Sequence, residues 1–125
     1  MKATLHILIS VQKAISKLED FLSSNEFAFE VEDIKYDVQC KDNAVEKNES
    51  RVDFWSMRYY GGQFKVSIII QGYIEKNIDE TIMEIELFED HARRRHPFSD
   101  SPQGDILNEY LDKIANLFII NNNTE

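Results

Sequence analysis

Trp55-Ser56-Met57-Arg58-Tyr59-Tyr60-Gly61-Gly62-Gln63-Phe64-Lys65-Val66-Ser67-Ile68-Ile69-Ile70 is the stretch on which the architecture turns. Two runs rich in aromatic and β-branched residues flank a pair of glycines, the composition of a β-hairpin closed by a two-residue turn. A turn at Gly61-Gly62 predicts Tyr59 opposite Phe64, Met57 opposite Val66 and Trp55 opposite Ile68, all on one buried face. The two strands then run over about 51–60 and 63–75.

Downstream, Asn77-Ile78-Asp79-Glu80 reads as a short loop into a strand over 81–90, which sets Leu87 opposite Ile70 and Met83 opposite Ile74 on that same face. Upstream, Phe27, Phe29 and Val31 share one parity, whereas Ile34, Tyr36, Val38 and Cys40 share the other. A single strand keeps all of them inward only if it carries an extra residue near Glu32-Asp33, which predicts a β-bulge. The polar run 41–50 reads as a loop, bringing Tyr36 beside Trp55 and Ile34 beside Met57. Cys40, at an inward position, is then expected to be an inert core thiol.

Both ends of the chain show a helical period. Leu5, Leu8, Val11, Ile15, Leu18 and Leu22 recur at steps of three and four, predicting a helix over roughly 4–23. Leu107, Tyr110, Leu111, Ile114, Leu117 and Phe118 form a second apolar stripe, capped by Ser101 or Asp105 and ending at Asn121-Asn122-Asn123. The expected fold class is therefore α+β, with an N-terminal helix, a four-stranded antiparallel meander sheet and a C-terminal helix in the order αββββα, as one domain over 1–125.

Composition narrows the functional classes. With 23 acids against 14 Lys and Arg the formal charge is −9, which opposes nucleic-acid backbone and anionic lipid and favours a basic protein partner. No stretch approaches the roughly 20 apolar residues that span a bilayer. His6, Ser10, Gln12 and Lys13 interrupt any signal-peptide core, and a lone cysteine suits a reducing compartment, so a cytoplasmic location is expected.

Alternation along the predicted strands places Phe54, Ile69 and Phe88 as an apolar row on the face opposite Trp55, flanked by Glu30 and Asp37 on one side and by Glu84, Glu86 and Asp90 on the other. An apolar centre with an acidic rim has the outline of a protein-binding surface. A two-layer arrangement leaves the row open, whereas a helix on that face would cover it. Acids on edge strands also serve to block unwanted strand pairing.

The segment 91–104 holds both prolines and reads as a surface loop, with a basic cluster at Arg93, Arg94, Arg95 and His96. Guanidinium groups at this density are candidates to clamp a phosphate or carboxylate, though no glycine-rich cradle precedes them and a solvated loop balancing nearby Glu86, Glu89 and Asp90 is the favoured reading. The adjoining arginines disfavour a metal at His91 and His96, and no cofactor motif occurs, so neither metal nor cofactor is expected. Nor is there a Gly-x-Ser-x-Gly elbow, or a visible nucleophile with its base.

These features rank three functions. The first is a small inhibitor of the immunity-protein or antitoxin type, which neutralises a basic toxin through the apolar row and its acids. The second is a secretion or assembly chaperone whose sheet face holds a client strand or forms a homodimer. The third is an enzyme acting on an anionic small molecule through the arginine run.

Overall fold

The computed structural model describes residues 1–60, 66–91 and 104–123. The elements are β1 (Lys2–Ile7), α1 (Val11–Ser24), β2 (Ala28–Lys41), β3 (Ala44–Tyr60), β4 (Val66–Lys76), β5 (Thr81–His91) and α2 (Gly104–Asn123). The class is α+β. The five strands form one antiparallel sheet in the order β1-β5-β4-β3-β2, rather than the expected four.

The additional strand lies within the N-terminal stretch expected to be helical. Ala3, Leu5 and Ile7 alternate at step two and pair alongside β5, with Leu5 opposite Met83. Ser10 then caps α1, its hydroxyl accepting from the Lys13 N–H at 3.2 Å. Leu8, counted in the helical stripe, lies between the two elements and is 73% exposed. The Thr81 hydroxyl donates to the Ile9 carbonyl at 2.6 Å and ties this connection to β5.

Both helices pack on one face of the sheet. Val11, Ala14, Ile15, Leu18 and Leu22 of α1 and Tyr110, Ile114 and Phe118 of α2 share a core with Val52, Phe54, Ile68, Ile70, Ile74, Met83, Ile85 and Leu87. α1 lies against β2, β3 and β4, and α2 against β1 and β5. Ser56 is wholly buried among these apolar side chains because its hydroxyl donates to the Ile70 carbonyl at 2.8 Å.

The β4–β5 register agrees with the expectation, with Leu87 opposite Ile70 and Met83 opposite Ile74. The bulge is also present, as a register shift between Val31 and Asp33 that keeps Phe29, Val31 and Ile34 on the helix side. The β3–β4 register corrects the hairpin reading. Pairing begins at Tyr60 with Val66, so Tyr59 faces Ser67 and Trp55 faces Gln71, a displacement of three residues. An odd displacement exchanges the two faces of β3. Phe54, only 1% exposed, therefore enters the core, while Trp55, Met57 and Tyr59 turn to the other face.

The expected loop over 41–50 is instead the end of a hairpin. Lys41 pairs with Ala44 across Asp42 and Asn43, whose φ values of 53° and 66° are those of a tight left-handed turn that suits these residue types. Beyond a second register shift after Lys35, residues 36–49 form a two-stranded arm in which almost every side chain is exposed. Tyr36 faces Glu49 rather than lying beside Trp55, and Ile34 faces Val52 rather than Met57. Cys40 is exposed on this arm and is not a core thiol.

Candidate functional site

With both helices on one side, the opposite face of the sheet is left to the alternate residues of each strand. Met57, Ile69 and Phe88 are directly paired there and form a row across β3, β4 and β5. The next row runs Glu30, Trp55, Gln71, Glu86 and Lys2, and the one beyond it Asp33, Asp53, Tyr73, Glu84 and Thr4. Trp55, Met57 and Phe88 are half-buried, and Ile69 is 7% exposed at the floor of its row.

Five of the seven expected partner-binding residues lie together on this face. Ile69 and Phe88 form the centre, Glu84 and Glu86 flank it on β5, and Asp90 faces Ser67 at the end of β5. Asp37 is displaced from the group, since it stands on the exposed arm opposite Asn48. Phe54 is corrected out of the set, because the register shift makes it a core residue, stacked against Phe29 with ring centroids 6.1 Å apart. Met57 takes its place in the row, and Trp55 adds a second large apolar surface. Arg93, Arg94, Arg95 and His96 lie outside the described residues.

A groove of about 640 Å³ crosses the same face beside the Trp55 row, lined by Lys2, Arg51, Asp53, Tyr73, Glu84 and Glu86 together with Glu32 of the bulge. Its floor depends on Gly72. That residue has φ 154°, and a Cβ built on it would stand 1.9 Å from the Glu84 carbonyl oxygen, so only glycine permits this approach of β4 to β5.

Neighbouring side chains position the acids in the groove. Gln71 Nε2 donates to Glu86 Oε1 at 3.3 Å. The Glu84 carboxylate beside it, together with burial, holds the Tyr73 phenol above its ordinary pKa. Arg51 stacks on the Tyr73 ring at 3.8 Å, donates to Asp53 at 3.0 Å and reaches Glu75 at 3.8 Å. One cation is therefore shared between two acids, while Glu32, Glu84 and Glu86 keep the surface negative. Such a surface attracts cationic side chains and offers an aromatic and aliphatic patch beside them.

Arg58 turns toward the helices and joins α1, β3 and α2. Its guanidinium donates to the Tyr110 hydroxyl at 2.8 Å and to the Asn25 carbonyl at 3.1 Å, and it lies over the Tyr60 ring at 4.6 Å. The Tyr60 and Tyr110 hydroxyls are 2.9 Å apart. Among the described residues no helix is long and apolar enough to cross a membrane. No protein-family model matches this chain, no curated protein resembles it at a significant level, and no solved structure matches it.

Proposed function

We propose that this chain is a protein-binding module that captures a basic protein on the face of its sheet opposite α1 and α2, as an inhibitor of the immunity-protein or antitoxin type. The observation that carries the reading is the placement of both helices on one face, which leaves Trp55, Met57, Ile69 and Phe88 on the other beside a groove rimmed by Glu32, Glu84 and Glu86. Aromatic and methionine anchors supply contact area, while the acids steer a cationic partner and fix its register. The formal charge of −9 acts in the same direction at longer range.

The test is affinity capture with three baits: the parent chain, Phe88→Asp, and the double variant Glu84→Lys with Glu86→Lys. A basic protein retained by the parent, lost from Phe88→Asp, and released from the parent by moderate salt supports the reading. Equal retention by all three baits overturns it. A client held independently of salt points instead to the chaperone function.

A further inference from the structure

Among the described residues β2 ends the sheet, and no described strand pairs with the backbone groups along its outer side. Long open edges of this kind are pairing sites unless the sequence blocks them. β2 is 14 residues long, and its Glu32 bulge interrupts regular pairing only near its start. From Asp33 to Lys41 the strand carries no inserted residue, since the second register shift, after Lys35, places the extra residue, Ser50, on β3.

That stretch reads Asp33-Ile34-Lys35-Tyr36-Asp37-Val38-Gln39-Cys40-Lys41. Its helix-side face is apolar yet uncovered, with Tyr36 42% and Val38 60% exposed, and Val45 of β3 beside them 69% exposed. Lys47 lies over the Tyr36 ring at 4.2 Å and holds it in place.

We propose that two copies of this chain pair through β2, antiparallel, about a twofold axis at Tyr36. An axis perpendicular to the sheet keeps both helical layers on one side and sets residues of equal parity opposite each other. Centring it on Lys35 opposes two lysines, centring it on Asp37 opposes two acids, and centring it on Val38 sets Lys35 against Lys41. Centring it on Ile34 runs the pairing into the bulge. Centring it on Gln39 sets Asp37 against Lys41 but pairs only residues 37–41, leaving Ile34 and Tyr36 without a counterpart on the strand. At Tyr36, Lys35 faces Asp37 twice, Ile34 faces Val38 twice, and the two tyrosines meet on the axis. Opposite charges and apolar pairs in direct register are the contacts that stabilise adjoining strands. The charges that would repel a foreign strand thus match a second copy, and pairing covers the exposed apolar residues of the arm.

Light scattering on the eluting full chain at micromolar concentration is expected to show a dimer. Asp37→Lys opposes two lysine pairs and is expected to raise the dissociation constant at least tenfold. Adding Lys35→Asp to it recreates both ion pairs in reverse and is expected to restore the dimer. In a Cys40→Ser background, Tyr36→Cys is expected to cross-link under mild oxidation. Cys40 in the parent is not, because this register holds the two thiols roughly 26 Å apart at about 3.3 Å per residue. A parent chain that stays monomeric, an Asp37→Lys variant that is folded and dimerises as tightly, or Cys40 cross-linking as readily as Tyr36→Cys would each overturn the proposal. A monomer that instead adds a strand of another protein along β2 would overturn it as well. Should Asp37→Lys not fold, the cross-linking comparison decides alone.

Discussion

The Arg58 guanidinium donates to the Tyr110 hydroxyl at 2.8 Å, joining the central sheet to the C-terminal helix. Asn25, at the end of α1, accepts from the same nitrogen at 3.1 Å, and Phe27 packs edge-on against Tyr110 with centroids 5.2 Å apart. One strand residue thus organises the ends of both helices. Tyr110→Phe removes the hydroxyl that both Arg58 and Tyr60 contact and leaves their polar atoms short of a partner. The expected cost is about 1–3 kcal/mol, read from urea denaturation.

Alkaline pH should act through the same cluster. Burial, and then the hydrogen bond with Tyr110, raise the Tyr60 pKa above its ordinary value. A raised phenol pKa means that the folded state holds the proton more tightly than the unfolded state does. Its contribution is complete below the unfolded value of about 10 and is lost as pH rises through the higher folded value. Stability should therefore hold up to about pH 10 and fall beyond it, and Tyr60→Phe should make that fall shallower in denaturation curves taken on either side.

Gly72→Ala is expected to be among the most damaging single substitutions on the sheet. The added Cβ meets backbone rather than a movable side chain, and φ 154° is itself unfavourable for alanine. A loss of about 3 kcal/mol or more is expected, visible as a drop in melting temperature or as failure to accumulate folded protein.

Phe54 and Phe88 should separate fold from binding. Phe54→Ala opens a cavity in a core where the ring is fully enclosed, at a cost of about 3–5 kcal/mol. Phe88→Ala, on the half-buried outer row, should melt closer to the parent while losing the partner. The double variant Glu84→Lys with Glu86→Lys should slow association several-fold at low salt and match the parent at high salt, as measured by stopped flow.

Much of this arrangement could be read from residue pattern alone, and the exceptions have physical causes. The β4–β5 pairing was legible because a short polar loop closes between strands that alternate strongly on β5. The Glu32 bulge was legible because Phe29 and Ile34 differ in parity and both need burial. β1 was missed because Leu5 and Leu8 happen to fall at a helical step, although Ser10 marked the true start of the helix. The β3 register was missed because that strand carries large apolar residues on both faces: Val52 and Phe54 on one, Trp55 and Met57 on the other. Neither face then identifies itself, and the glycine pair suggested a turn tighter than the pairing of Tyr60 with Val66 allows. For the same reason Phe54 was assigned to the binding row in place of Met57. The outer part of the arm, from residue 41, looked like a loop because solvated strands need no apolar alternation, though Asp42-Asn43 carried the turn signal.

Because the arm formed by residues 36–49 contributes almost nothing to the interior, it can fray without disturbing the molecule beneath it. Amide protons at its tip should exchange with solvent through local opening, while those of Phe54 and Ser56 await global unfolding. Slow exchange along the arm would then report something laid against it from outside.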